Sequence, residues 1–262
     1  AYAYDRSGRH HRAAAQYLQL GQAQVDGGLQ REALLRAAEL FERLGEDRDA
    51  VKTLELYLNR FPKPGDQAVG VMQQLADLES ANGDAARRRH WLGEIIKLDR
   101  SAGNAQTRKL AAQASLELAE QRLVDFRRIR LVKPLQKSLA SKLREMKRAL
   151  KAFNAAIDYG VAPVTSSATY NVASMYDELS QELRASERPG NLTAEELAQY
   201  ELLLEEQAAP FEQQAIEIYT SNVRQASAGP FDHWSEKSRQ RLDVLRPGWV
   251  EGVNTKLNPV KR

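Results

Sequence analysis

Apolar and small residues recur along the N-terminal part of the chain with the spacing of paired amphipathic helices. Between Leu29 and Pro62 they fall at Leu34, Ala37, Ala38 and Phe41, then at Ala50, Leu54 and Tyr57, with Gly45 between the two sets. Steps of three and four residues place each set on one helical face, whereas a strand would alternate with a period of two. The pattern predicts an antiparallel helix hairpin. Ala38 and Ala50 let the two backbones approach, Phe41, Leu54 and Tyr57 fill the space between them, and Gly45 supplies the left-handed helix end. Pro62, unable to continue a helix, closes the unit.

The same arrangement recurs on both sides. Tyr4, Gly8, Ala13, Tyr17 and Leu20 occupy equivalent places upstream, and Met72, Leu75, Ala76, Gly83, Leu92 and Ile95 do so downstream. The three turn glycines, Gly8, Gly45 and Gly83, are 37 and 38 residues apart, and the extra residues fall in connections such as Gln24 to Gly28 and Lys63 to Gln67. The third unit departs from the pattern, with Glu79 at an apolar or aromatic place and Arg88 at an alanine place. Asn104 to Val132 reads as a further helix pair or one bent helix, carrying Leu110, Leu116, Leu123, Phe126, Ile129 and Val132. Beyond Pro134 the repeat stops and longer helices begin. Leu135, Leu139, Leu143, Met146, Leu150, Phe153 and Ile157 form one sustained stripe ending at Tyr159 and Gly160. A second helix runs from Val164 to Ser186 with Val164, Ala168, Val172, Met175, Leu179 and Leu183 on one face. Thr193 to Glu196 is a capping box opening a third helix to about Ala226, which Pro210 is expected to kink. A short helix from Phe231 to Leu245 precedes a polar, irregular tail. The expected fold is all-α: a helix-turn-helix solenoid over residues 1–132, a bundle of longer helices over 133–245 that caps the array, and the tail over 246–262.

Composition supports this reading. The chain is 42% hydrophobic and 28% charged, rich in helix-favouring residues, and has no cysteine, so it contains no disulfide scaffold, thiol nucleophile or cysteine-held zinc. No apolar run reaches the length of a membrane span, and the first residues lack the apolar stretch of a signal peptide. The start at Ala1, in the middle of a repeat, reads as a fragment of a longer protein.

Charge is strongly segregated. From Arg122 to Lys151 there are eleven Lys or Arg residues against Asp125 and Glu145, and from Asp177 to Glu217 eleven Asp or Glu residues against Arg184 and Arg188. One reading is that neighbouring helices fix their register through complementary charge; another is a docking surface for a charged partner. A nucleic-acid role is disfavoured, because the basic segment has no interleaved aromatics for stacking and no recognition motif.

No catalytic constellation emerges. His10 and His11 are adjacent, so on a helix they diverge by about 100° and do not share a metal. His90 reads as a surface or interface histidine, and His233 as part of a helix start, with Asp232 before it and Trp234 packing. No nucleophile-elbow serine or glycine-rich phosphate loop is present, and Glu205 and Glu206 project in different directions. Asn191-Leu192-Thr193 matches a glycosylation sequon, but the capping role of Thr193 accounts for it. The expectation is a chain that is not an enzyme, takes no cofactor, metal or small-molecule substrate, and meets membranes only through its parent protein.

The residues from Tyr4 to Pro62, above all Leu34 to Pro62, resemble the tetratricopeptide repeat superfamily over about the first 100 residues. That resemblance implies a groove lined by the first helix of each pair, which binds an extended or helical peptide. The corresponding positions are Glu32, Leu35, Arg36, Glu39, Glu42 and Arg43 in the second unit, and Gln73, Gln74, Asp77 and Ser80 in the third. They make a mixed, partly acidic surface without the clustered cations that clamp a terminal carboxylate. The later segments Lys133 to Leu135, Tyr159 to Ala162, Ala185 to Pro189 and Tyr200 to Glu212 look like the C-terminal region of large bacterial envelope proteins associated with TonB- or gliding-type machinery. This resemblance implies a periplasmic or outer-membrane-associated scaffold that recruits proteins; the alternative is a structural spacer or self-association module of a longer solenoid.

Overall fold

A computed structural model describes residues 1–63, 65–226 and 232–247. Among these residues every regular element is a helix, and there are eleven of them. Contacts divide the chain into two compact units, residues 1–114 and 115–262. The sequence pattern suggested a division after Val132. The contacts instead divide the chain inside a single helix spanning Ala105–Arg128, because its later residues Ala119, Leu123 and Phe126 share a core with Met146, Phe153 and Met175.

The first unit is a helix-turn-helix solenoid. Its hairpins are α1 (Tyr2–Arg6) with α2 (His10–Gln22), α3 (Gly27–Arg43) with α4 (Asp47–Arg60), and α5 (Gly65–Ala81) with α6 (Ala85–Ala102); α7 (Ala105–Arg128) follows. All three turns are built alike. Gly8, Gly45 and Gly83 have φ of +74°, +73° and +77°. At each turn the N–H of the residue after the glycine returns to a carbonyl five residues back: Arg9 to Tyr4, Glu46 to Phe41 and Asp84 to Glu79, each at 2.9 Å. This is the bond that closes a helix through a left-handed residue, and it requires a residue without Cβ.

The small residues have the role the pattern assigned them. Ala13, Ala37, Ala38, Ala50 and Ala76 are fully buried, as are Leu34, Leu54 and Leu75. At Gly21, on α2, a Cβ would lie 2.6 Å from the Leu34 side chain of α3, so the close approach of these helices depends on glycine. The third unit packs despite its two departures. Glu79 is buried, but its carboxylate accepts from Arg87, which also bonds Glu55 of the preceding hairpin. Arg88 donates to Ser80 at 3.0 Å.

The second unit contains the rest of α7, then α8 (Leu135–Ile157), α9 (Ala162–Arg184), α10 (Ala194–Ala226) and α11 (His233–Leu245). The ends follow local chemistry: Gly160 terminates α8 with φ +66°, Thr193 and Glu196 bond each other's backbone N–H, and Asp232 makes a capping box with Ser235. α10 continues through Pro210 as one helix. The expected start of the last helix at Phe231 lies outside the described residues, as does the tail from residue 248. α9 is central. It packs on α8, α10 and α11, so it is buried on several faces, through Val164, Val172, Met175 and Leu179 but also through Ser167, Asn171, Asp177 and Ser180.

Candidate protein-binding surfaces

The ten sequence-predicted contact positions lie on the two full-length first helices of the first unit: Glu32, Leu35, Arg36, Glu39, Glu42 and Arg43 on α3, and Gln73, Gln74, Asp77 and Ser80 on α5. Glu32, Glu39, Arg43, Asp77 and Ser80 are exposed, and the other five are half-buried. Helical spacing explains why. The buried face of α3 is taken by Ala33, Leu34, Ala37, Ala38, Leu40 and Phe41, which leaves these residues on the flank and the outer face.

Polar bonds knit this face across successive hairpins. Arg36 reaches Glu39 at 2.6 Å on its own helix and Asp5 of α1 at 3.3 Å. Arg43 adds a contact to Glu39 at 3.1 Å. Gln74 of α5 donates to the Glu42 carboxylate of α3, and Gln73 to Asp77 at 3.1 Å. Burial pushes the Glu42 carboxyl above its ordinary range; the Gln74 amide opposes that rise, while Asp47 and Glu39 add to it. The Arg36 guanidinium is held more firmly protonated by its bond to Glu39. Sequence reasoning placed the outward residues, but Asp5 was not among them. With the 37-residue offset between turn glycines, Asp5 occupies in the first unit the place that Glu42 holds in the second.

The charge-segregated segments meet within the second unit. Arg127 grips both oxygens of Glu178, at 2.9 Å from Nε, Lys142 donates to Glu182 at 2.8 Å, and Lys133 lies 3.6 Å from Glu187. Of these, Lys142 is completely buried. Its ammonium also donates to the Ile129 and Phe126 carbonyls at 2.8 and 3.4 Å, just past and within the last turn of α7, and sits 4.3 Å from the Phe126 ring centroid. Asp177 takes both Arg241, at 3.0 Å from Nη2, and Gln181 at 2.6 Å. Complementary charge therefore joins neighbouring helices here, as the first of the two readings anticipated.

One apolar surface of this unit is left open. The first turns of α8 and the acidic half of α10 flank a groove of about 310 Å3, lined by Leu135, Leu139, Tyr200, Leu203, Leu204 and Gln207. The sequence stripe on α8 did not reveal it, because the stripe was broader than the buried face. Met146, Ala149, Phe153 and Ala156 go to the core, while Leu143 stays 36% exposed.

Of the histidines, His10 lies 3.2 Å from Asp5 and His11 3.5 Å from Glu46, so each faces a different carboxylate. Among the described residues no three His, Asp or Glu side chains are grouped as a metal site, and no helix is long and apolar enough to cross a membrane. Compared with known proteins, the chain matches no family and no characterised sequence.

Proposed function

We propose that this chain is a non-catalytic protein-binding scaffold of tetratricopeptide type, part of a larger bacterial envelope protein, and that it recruits partners on the first-helix face of its solenoid. The observation that carries the proposal is the threefold recurrence of one turn, in which a left-handed glycine and the same 2.9 Å backbone bond close each first helix. That construction presents successive first helices in register, with their unburied residues side by side. Repeat proteins use such a surface to hold a peptide along several units at once. The ladder from Asp5 through Arg36 and Glu39 to Arg43, with Glu42 and Gln74 beside it, pre-orders the surface and lowers the entropy lost on binding.

Site-specific photocrosslinking tests this. A crosslinker at Glu32 or Asp77 of the full chain, expressed in bacterial envelopes, is expected to trap the same partner from both positions, and one at exposed Lys52 of α4 is not. Charge exchange at Glu39 and Arg43 should abolish the trapped product. Equal trapping from all three positions, or a product insensitive to the exchange, counts against the reading.

A further inference from the structure

Of the residues lining the groove between α8 and α10, Leu203 is itself largely uncovered, and apolar residues near the lining in the chain are uncovered too. Leu202 and Leu203, consecutive on α10, are 61% and 54% exposed, and Val132, just before α8, is 52% exposed. Val132 is held in place, since the Ser138 hydroxyl accepts from its N–H at 3.1 Å and donates to its carbonyl at 2.7 Å. Single exposed leucines are ordinary on protein surfaces, but an apolar patch contiguous with a groove marks an interaction site.

The charges around the groove say what fits it. The exposed charged residues of α8 are cationic, among them Lys137, Arg144 and Lys147. Those in the first half of α10 are anionic, with Glu195 and Glu206 engaged, among the described residues, in no pair within the helix or with α9. The carboxylates of α10 that face α9 are already engaged, Glu205 and Glu212 with Arg184 and Glu201 with Arg188. An occupant must therefore bring an apolar ridge with acid along one edge and base along the other. This chain carries that combination itself. A second copy, turned by a two-fold axis running along the groove, sets its acidic α10 against the basic α8 of the first, and every contact occurs twice. The alternative, with α8 facing α8, juxtaposes like charges and is disfavoured.

We propose that two copies of the chain pair face to face across this groove, with Leu203 of each entering between α8 and α10 of the other. The central leucines supply the desolvated anchor, and the charged edges fix the orientation. This surface belongs to the second unit and is independent of partner recruitment by the first.

Sedimentation of the full chain at about 100 µM tests the pairing. The wild type is expected to sediment as a dimer, and Leu203→Glu to weaken association by about tenfold or more while its circular dichroism stays unchanged, the site being exposed. Two charge-reversed variants, Lys137→Glu with Lys147→Glu and Glu195→Lys with Glu206→Lys, should each dimerise poorly alone and form a heterodimer when mixed. A wild type that stays monomeric overturns the proposal, as do a dimer indifferent to Leu203→Glu and reversed variants that fail to complement.

Discussion

The two units solve the same problem, burying helices whose backbones and charges need partners, by different means. In the solenoid each hairpin buries small and aliphatic residues against the next, and apart from the buried Glu79 its ionic groups stay at the rim, where Arg36 and Arg87 bridge neighbouring helices. In the bundle the ionic groups go inside. Lys142 is fully enclosed, Asp177 nearly so, and α9 carries serines and an asparagine on buried faces. A repeated local unit needs only its neighbours, so its rim pairs adjust without disturbing the core. A helix packed on three others has no rim, and each of its polar groups must find a partner at a fixed place.

The sharpest way to break this contrast is at Lys142. Replacement by Ala strands Glu182 and two carbonyls at the end of α7, and should cost about 3 kcal/mol of unfolding free energy. Lys142→Met, which keeps the volume, should cost much less. Denaturant unfolding followed by hydrogen exchange would assign the loss to peptides of α7 to α9; equal protection in both variants would show that the ammonium is not needed. Next in size, Gly45→Ala forces a Cβ onto a left-handed residue and should cost about 1–2 kcal/mol. Gly8→Ala and Gly83→Ala should behave alike, because the three turns share one geometry; a markedly unequal set would mean that the repeats are not equivalent.

The smallest effects concern pH, and the two units should differ in sign. Burial raises the Glu42 carboxyl above its usual 4.5, so the folded solenoid holds that proton more tightly than the unfolded chain. Its contribution is present at acid pH and is lost as pH rises through the raised value. Glu42→Gln should therefore stabilise the chain slightly at neutral pH, with the advantage fading on acidification. Asp232 is the opposite case. Burial alone would raise it, but the N–H groups of Ser235 and Trp234 and the hydroxyls of Ser166 and Ser235 outweigh that and hold it below its usual 3.8. Its contribution is present above 3.8 and disappears as pH falls through the lowered value, so Asp232→Asn should cost most near neutrality. Melting temperatures of both variants across the acid range would check the crossing; parallel curves would contradict it.

Much of the fold was legible because its signals are local. A left-handed glycine, a capping box at Thr193 and a stop at Gly160 act within five residues, and the residues that helical spacing picked on α3, α4 and α9 are buried, though polar residues such as Asp177 and Ser180 that share α9's buried faces were not among them. The outward residues of α3 and α5 followed by subtraction. What they bond to did not, since Asp5 meets Arg36, and Glu42 meets Gln74, only once consecutive hairpins are stacked. The third unit shows the same limit. Glu79 looked like a fault in the pattern, and its compensation by Arg87 depends on how the hairpin folds back.

By itself, then, the sequence determined that the chain is helical, where its repeats turn, and that its basic and acidic segments are separate. Tertiary structure alone decided that α7 belongs partly to each unit, that Lys142 is a core residue, and that the first two leucines of the α8 stripe, Leu135 and Leu139, line an open groove with Leu203. The physical reason is one of range. Backbone hydrogen bonding and capping are settled among near neighbours, whereas the burial of a charge or a leucine depends on which distant helix comes to lie beside it.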